Sequence, residues 1–210
     1  MSLLKFKSTK FGFTKNTVLE EISGALGAGS FALEGVNGSG KTTAISTIAG
    51  IIRPLSGDIE IDGCSLKNDA VNAKLAMSYM PDEACAYPFM TGKDLLSMVA
   101  YFKRCKIGLD INQMIEALSI EQFIGARFDT MSLGTQRKFT FVAAFLGAPK
   151  VLLLDEPMNG LDKASVALMS GYLNEYATQC AIIFSSHQDK LKDDLGAKVL
   201  HISQKKLLGL

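Results

Sequence analysis

The sequence has no tryptophan, only two histidines and four widely separated cysteines, and each shortage excludes a class of site. No Cys-x-x-Cys pair is present, so neither a zinc ribbon nor a dithiol redox motif is predicted. Two histidines are too few for a multi-histidine metal centre. Scattered cysteines are instead typical of small core or surface thiols in a reducing compartment.

Neither sign of charge dominates the chain. The 22 Lys and Arg residues against 21 Asp and Glu residues leave a formal net charge of +1. Such a chain has no overall field that could hold a polyanion, which argues against nucleic-acid binding by bulk attraction but permits a small local anion site. With 48% hydrophobic and 20% charged residues over 210 positions, the composition predicts one globular domain.

Long hydrophobic runs are also missing. The longest are 141–149 and 151–154, separated by Lys150, and neither approaches the roughly 20 residues that span a bilayer. Lysines occupy positions 5, 7 and 10, where a secretion signal has an apolar run. We therefore expect a cytoplasmic chain without a membrane span of its own.

The hydrophobic pattern predicts short strands alternating with helices. Strands are predicted at 3–7, 17–23, 30–34, 57–63, 76–80, 151–154 and 181–184, and helices at 41–49 and 163–176. The uninterrupted apolar strands on either side of the second helix predict a parallel sheet covered on both faces. Between 91 and 147 the pattern is helical, and Thr91 followed by Asp94 resembles a capping box. We expect one α/β domain over 1–210, with a core of 1–82 and 150–210 and a helical sub-lobe at about 83–149.

A glycine-rich loop follows the predicted strand at 30–34. Residues 35–42 read Gly-Val-Asn-Gly-Ser-Gly-Lys-Thr and fit the phosphate-binding pattern Gly-x4-Gly-Lys-Ser/Thr. Glycines let successive backbone N–H groups point at phosphate oxygens, and the N-terminus of the next helix adds positive potential. Lys41 is expected to reach the β and γ phosphates, and the Thr42 hydroxyl to bind Mg²⁺. The predicted nucleotide contacts of this segment are Gly35, Asn37, Gly38, Ser39, Gly40, Lys41, Thr42 and Thr43.

Acidic residues end the buried strand at 151–154. Asp155 is expected to support Mg²⁺, and Glu156 to orient or deprotonate the attacking water, because phosphoryl transfer depends mostly on positioning and charge neutralisation. His187 comes just past the strand at 181–184. Parallel strands bring their carboxyl ends to one edge of the sheet, so His187 is predicted to donate to the γ-phosphate.

Taken together and in this order, the motifs resemble those of the ATP-binding cassette (ABC) family, the nucleotide-binding subunits of ABC transporters. Residues 131–137, Met-Ser-Leu-Gly-Thr-Gln-Arg, are similar to the signature motif whose common form is Leu-Ser-Gly-Gly-Gln. The segment 155–162 resembles the carboxylate strand end and the loop after it, and His187 falls at the switch-histidine position. The variant signature is similar to that of single-cassette bacterial exporter subunits. The resemblance implies a P-loop NTPase core, with a mostly parallel sheet and an antiparallel β edge, plus a helical sub-lobe.

The resemblance also implies a mechanism that uses ATP and Mg²⁺. Two subunits pair head to tail, as a homodimer or a heterodimer, so that Ser132 and Gly134 of one chain face the γ-phosphate bound by the other. Adenine is expected to stack on Phe11, which resembles the aromatic residue of the family's aromatic-glycine pair, and Phe13 is the alternative. Lys41, Glu156 and His187 would carry the hydrolysis.

Three positions depart from the family pattern. Asp82 stands where the family usually has a glutamine that touches Mg²⁺, and a carboxylate there is expected to keep the metal contact. Leu133 and Thr135 replace a glycine and a glutamine of the signature. Glu34 lies in a strand that is usually apolar at that point, and the sequence offers no reason for it.

The leading hypothesis is an ATP-hydrolysing subunit that powers transport through a separate membrane-spanning chain, at the cytoplasmic face of the membrane. The partner would dock on a groove around 82–90, where Tyr87, Pro88 and Phe89 offer apolar surface, and no nucleic-acid partner is expected. Two alternatives stay open: a soluble ABC protein that acts on ribosomes or DNA, and a regulatory ABC subunit that hydrolyses ATP weakly. The sequence identifies neither the cargo nor the direction of transport.

Overall fold

The structure is a computed structural model that describes residues 2–13, 16–36, 38–83, 86–186 and 189–210. Over these ranges it contains ten strands and seven α-helices. The strands are β1 (Leu4–Phe13), β2 (Asn16–Leu26), β3 (Gly29–Glu34), β4 (Ser56–Ile61), β5 (Cys64–Ser65), β6 (Met77–Met80), β7 (Val151–Asp155), β8 (Ala181–Ser185), β9 (Lys198–Ser203) and β10 (Lys206–Leu208). The helices are α1 (Lys41–Ile48), α2 (Ala70–Leu75), α3 (Gly92–Phe102), α4 (Leu109–Ala117), α5 (Leu133–Ala144), α6 (Lys163–Tyr176) and α7 (Asp189–Asp194).

The described strands form two sheets. The larger has the order β10-β9-β3-β8-β7-β6, in which all neighbours are parallel except the β10/β9 pair. The smaller has the order β2-β1-β4-β5 and is antiparallel. Every residue of β7 and β8 is buried, as expected for central strands with helices on both faces. The expected α/β class, with a mostly parallel sheet and antiparallel β structure beside it, is confirmed.

The register of the parallel strands brings the chemically interesting residues to one edge. Asp155 at the end of β7 lies beside Ser185 at the end of β8, and Leu33 near the end of β3 also pairs with Ser185. Met80, the last residue of β6, pairs with Leu154. The loop at 35–40 and the loop that begins at Pro81 therefore leave the sheet at the same edge as Asp155, which is where open α/β sheets bind ligands.

Helices α3, α4 and α5 lie between β6 and β7 in the chain and share one apolar cluster with the sheet. The capping box predicted at Thr91 is present: the Asp94 N–H donates to Thr91 Oγ1 at 3.1 Å, and the Thr91 N–H donates to Asp94 Oδ2 at 2.9 Å. The Thr91 hydroxyl also donates to Asp94 Oδ2 at 2.7 Å, and this bond, together with the one from the Thr91 N–H, lowers the pKa of Asp94. A Cβ at Gly92 would lie 2.6 Å from the Phe139 ring, so α3 and α5 are packed too closely for any larger residue there. The boundary of the helical sub-lobe at about 83–149 stays a prediction.

Glu34, which the sequence left unexplained, has a charged partner in the fold. It ends β3 next to the phosphate loop, and its carboxylate Oε1 accepts a hydrogen bond from Lys192 Nζ of α7. Within the described residues, no helix is both long enough and apolar enough to cross a membrane.

Candidate functional site

The loop at 35–40 joins β3 to α1 and has backbone angles that require glycine. Gly38 and Gly40 have φ values of +78° and +102°, and a Cβ at Gly40 would lie only 2.0 Å from Val18 Cγ1. Lys41 Nζ folds back across the loop and donates to the Gly35 carbonyl at 2.7 Å. The lysine amine and the start of α1 are therefore held against the same short turn.

The loop also contains a polar atom that suits a ligand. Ser39 Oγ is buried and has no hydrogen-bond partner among the described residues. A buried hydroxyl without a partner costs free energy, on the order of 1–3 kcal/mol, unless a ligand or water satisfies it. The loop thus offers a lysine amine, a free hydroxyl and the positive end of a helix, the donor set that a phosphate group requires.

The acidic pair at the end of β7 is held by Ser185. The Ser185 hydroxyl donates to Asp155 Oδ1 at 2.5 Å and accepts a hydrogen bond from the Glu156 N–H at 3.0 Å. Both acidic residues are buried. Glu156 has a φ of +47°, a left-handed conformation that costs a residue with a side chain about 1 kcal/mol or more and that often marks a functional site.

A cavity of about 690 Å³ brings the two halves of the site together. The loop and helix α1 line one side, and the ends of β7 and β8 line the other. The sequence-predicted residues that line it are Gly38, Gly40, Lys41, Thr42, Thr43, Asp82, Asp155 and Glu156. The fold thus places the glycine loop beside the acidic end of β7, as expected from the parallel topology.

The oxygen donors around this cavity fit a hard divalent cation. Thr42 and Asp155 both line this cavity, and hydroxyl and carboxylate oxygens are ligands that Mg²⁺ prefers.

Asp82, which the sequence predicts as a metal ligand, has an arginine partner in the fold. Its Oδ1 accepts hydrogen bonds from Arg137 Nη2 at 2.9 Å and from Asn159 Nδ2 at 3.3 Å. Asp82 lines the cavity while its Oδ1 is paired with a guanidinium of α5, and its role as a metal ligand stays a prediction. The sequence contained no sign of this pairing, because 55 residues separate the partners.

The prediction that adenine stacks on Phe11 requires a correction. The Phe11 ring is 1% exposed and packs 6.0 Å from the Phe6 ring in the core, so no base can stack on it. Phe13 is 55% exposed and lines a cavity of about 550 Å³ together with Val36, Gly38 and Ser39 of the loop. The alternative that the sequence left open, Phe13, is an exposed aromatic residue beside the glycine loop.

The signature segment forms the N-terminus of α5. Ser132 is the N-cap, and its Oγ accepts a hydrogen bond from the Thr135 N–H at 3.1 Å. The hydroxyls of Ser132 and Thr135 are also 2.9 Å apart, so Thr135 contributes to the cap. Ser132 is exposed, and neither it nor Gly134 lines the cavity that contains Lys41.

Two predicted residues, Asn37 and His187, lie outside the described residues, so their roles stay predictions. Three residues at the site were missed by sequence reasoning: Ser185, Arg137 and Asn159. Ser185 had a usable signal, since a hydroxyl at the end of an apolar parallel strand adjoins the neighbouring strand's last residue. Arg137 and Asn159 had none, because their contacts depend on how α5 packs against the core.

Comparisons with known proteins agree with this geometry. The family model described as ABC transporter matches residues 19–159, a range that includes the glycine loop, the signature segment and Glu156. An uncharacterized ABC transporter ATP-binding protein of Methanocaldococcus jannaschii, MJ1023, is 30% identical over 203 residues, which cover 94% of this chain and 72% of the relative. The protein YdbJ of Bacillus subtilis (strain 168), described in the same words, is 30% identical over 190 residues, 89% of this chain. The chain spans 62% of the length of YdbJ.

Solved structures show the same fold. A structure described as the ATP binding subunit of an ABC transporter superposes with a TM-score of 0.88 at 25% identity, over 98% of this chain and 88% of that chain. A putative ABC transporter ATP-binding protein from Pyrococcus furiosus superposes with a TM-score of 0.73 at 24% identity, over 88% of this chain and 91% of that chain. The second likeness shows the fold alone.

Proposed function

Because the chain belongs to the ABC transporter family of ATP-binding proteins, we propose that it hydrolyses ATP to power transport through a separate membrane-spanning chain. One observation carries the proposal: a single cavity is lined by Lys41 and Thr42 on one side and by Asp155 and Glu156 on the other. A cation, a hydroxyl, a buried carboxylate and a second acid in one cavity are the parts that phosphoryl transfer to water requires.

The loop and helix α1 bind the phosphates in this proposal. The N–H groups at the start of α1 donate to phosphate oxygens, and the helix dipole adds to their attraction. Lys41 Nζ exchanges its contact with the Gly35 carbonyl for the β and γ phosphates. Phe13 stacks on the adenine, because its exposed ring lies in the cavity next to Val36 and Gly38.

Glu156 acts on the attacking water. Its carboxylate orients the water and accepts its proton, while Ser185 holds the backbone N–H of Glu156 and the carboxylate of Asp155 in place. Mg²⁺ held by Thr42 and Asp155 would neutralise part of the negative charge of the phosphates. His187, whose position suggests a donor to the γ-phosphate, stays part of the proposal on sequence grounds alone.

The working unit is a head-to-tail pair of chains. Ser132 and Gly134 are exposed or half-buried at the start of α5 and do not line the cavity of their own chain. A helix N-terminus with a capping serine is suited to an anion, so we place these residues against the γ-phosphate bound by a second chain. The second chain is a copy of this one or a related subunit.

The membrane-spanning partner docks beside the site at the cytoplasmic face of the membrane. The segment after Asp82 presents two exposed rings, Tyr87 and Phe89, which are stacked with centroids 5.5 Å apart and planes inclined by 10°. Exposed aromatic side chains that are already rigid are typical anchors of a protein interface. We propose this surface as the docking site for a short helix of the membrane subunit.

ATP hydrolysis by the purified chain, with and without its membrane partner, tests the proposal. We expect phosphate release that is lost in Lys41→Ala, and an ATP-dependent dimer in Glu156→Gln, because binding still closes the dimer when water activation is lost. Light scattering measures the dimer. Wild-type phosphate release no higher than that of Lys41→Ala in both conditions would show that the chain is a regulatory subunit and not a motor.

A further inference from the structure

Arg137 of α5 is bound to two separate loops of the core. Its side chain is 12% exposed and donates four hydrogen bonds. On one side, Nη2 donates to the Glu156 carbonyl at 2.5 Å and Nε to the Pro157 carbonyl at 3.2 Å. On the other, Nη1 donates to the Asp82 carbonyl at 2.6 Å and Nη2 to Asp82 Oδ1 at 2.9 Å.

The charge of this buried guanidinium is compensated by Asp82. Burying a cation is unfavourable unless hydrogen bonds and an opposite charge offset the lost hydration. Here three carbonyl groups and one carboxylate supply both, in the planar arrangement that only arginine can satisfy. The Asp82 side chain is 52% exposed, so the ion pair itself adds little to the stability of the fold. The ion pair instead fixes the position of the Arg137 guanidinium.

The guanidinium in turn fixes the backbone of Glu156. Arg137 holds the carbonyl of Glu156, and the Ser185 hydroxyl holds its N–H. Between these two contacts the residue keeps its left-handed φ of +47°, which sets the direction in which its side chain leaves the chain. A backbone held from both sides in an unfavourable conformation requires both contacts.

We propose that Arg137 is a positioning residue for Glu156, and that Asp82 anchors Arg137 and does not bind the metal. The Asp82–Arg137 ion pair thereby couples the loop after β6 and the signature helix α5 to the residue that activates water. Asn159 supports the pair by donating to the same carboxylate oxygen. This inference rests on the proposed hydrolysis of ATP.

Steady-state kinetics of Arg137 and Asp82 variants form the first test. Arg137→Gln is expected to lower kcat by about 10- to 100-fold with the KM for ATP within about twofold, because a small displacement of a catalytic group lowers the rate without removing substrate contacts. Arg137→Lys, which keeps the charge but not the planar fork, should fall between Arg137→Gln and wild type. Asp82→Asn should lower kcat less and leave the Mg²⁺ concentration for half-maximal activity unchanged.

A double variant of Asp82 and Arg137 measures the coupling between the two residues, and a third variant serves as a matched control. The double variant Asp82→Asn/Arg137→Gln should be no slower than Arg137→Gln alone, since Asp82 acts through Arg137. Arg127 and Asp129 form another arginine–aspartate pair, with Nη2 and Oδ2 2.5 Å apart, away from the cavity. Arg127→Gln is the control and is expected to leave kcat unchanged.

Hydrogen exchange measured by mass spectrometry tests the inference independently of hydrolysis. Arg137→Gln should speed amide exchange in the segment 156–160, and Arg127→Gln should not. Unchanged exchange in that segment, a kcat within twofold of wild type, or a raised Mg²⁺ requirement in Asp82→Asn would each overturn the inference. A wild-type protein without ATPase activity would overturn the proposed function instead, while the exchange result would still decide whether Arg137 holds this loop.

Discussion

At the scale of the residue, one hydroxyl organises the acidic end of β7. Ser185 bridges the Asp155 carboxylate and the Glu156 N–H, and it is itself 1% exposed. A buried donor that loses its partner costs about 1–3 kcal/mol, whereas removing a buried hydroxyl that already lacks a partner costs little, because the folded protein already carries that penalty. The same residue type therefore has opposite importance at different positions of the core.

Ser185→Ala should lower both stability and turnover. The substitution removes the hydrogen bond that the Glu156 N–H donates to Ser185 and the one that Ser185 donates to the Asp155 carboxylate, so we expect a loss of about 1–3 kcal/mol in the free energy of unfolding and a reduced kcat. Ser170→Ala is the matched control, because Ser170 Oγ is buried with no partner among the described residues. Urea unfolding and phosphate release measure the two effects. Equal losses in the two variants would contradict the role assigned to the Ser185 bridge.

Two of the three phenylalanines of β1, Phe11 and Phe13, differ in exposure and should differ in what they affect. Phe13→Ala is expected to weaken ATP binding by about tenfold, because stacking of a base on an aromatic ring contributes on the order of 1–3 kcal/mol. Phe13→Tyr should retain the affinity. Phe11→Ala should instead lower the free energy of unfolding by about 3–5 kcal/mol, as expected for a large core side chain. Calorimetry with ATP and urea unfolding separate the outcomes, and Phe102→Ala, at an exposed position of α3, controls for loss of a surface ring.

At the scale of the element, a lysine joins α3 to the end of α2. Lys103, the C-cap residue of α3, donates to the carbonyls of Lys74 at 3.1 Å, of Leu75 at 3.2 Å and of Met77. The amine thus satisfies carbonyls at the C-terminus of one helix from the end of another, which fixes α3 relative to the start of β6. Burial lowers the pKa of Lys103 to about 8, and the nearby Cys105 opposes this in part.

The pKa of Lys103 predicts a pH dependence of stability. Between pH 8 and the ordinary lysine value of 10.5, the unfolded chain still holds the proton that the folded chain has released. Stability therefore rises with pH in this window, because the cost of burying the charged amine is removed. Wild type should gain stability relative to Lys103→Met between these two pH values in urea unfolding. Lys93→Met, at an exposed position of α3, controls for loss of a positive charge, and a parallel pH course of wild type and Lys103→Met would refute the prediction.

The elements differ in how far the sequence predicts them. Helix α6 was predicted with its observed bounds, and the strands β3, β7 and β8 within one residue at either end, because each is a continuous run with one period. The elements β5, α2, α7, β9 and β10 were not predicted. They are short or carry charged residues on an exposed face, so their hydrophobic pattern is weak, and pairing with neighbours such as β3 stabilises them.

At the scale of the whole molecule, the signature segment lies apart from the cavity that holds the candidate phosphate site. The phosphate loop and the acidic strand end line one cavity, while the signature serine lies at the start of α5 outside it. In the proposed head-to-tail pair each site would take its loop from one chain and its signature from the other. Two chains with different defects can therefore complement each other.

Mixing two inactive variants tests this arrangement. Lys41→Ala lacks the phosphate lysine, and Ser132→Arg blocks the signature surface, so each variant alone should be inactive. In an equal mixture about half of the dimers are mixed and each of these contains one intact site, so up to about a quarter of wild-type activity should return. Thermal unfolding of each variant checks that it is folded. A mixture no more active than its components would show that the sites are not shared between chains.

The sequence by itself determined the local chemistry: the turn of the glycine loop, the acidic end of β7 and the serine cap of α5 all follow from residues that are neighbours in the chain. Only the tertiary structure decided which aromatic ring is accessible, since the register of β1 shifts next to Gly12, whose φ is +151°, leaving Phe11 in the core and Phe13 at the surface. It also decided the partner of Asp82, because Arg137 reaches that carboxylate only after α5 has packed against the sheet. Local conformation is set by adjacent residues, whereas exposure and ion pairing depend on distant segments brought together by the burial of apolar surface.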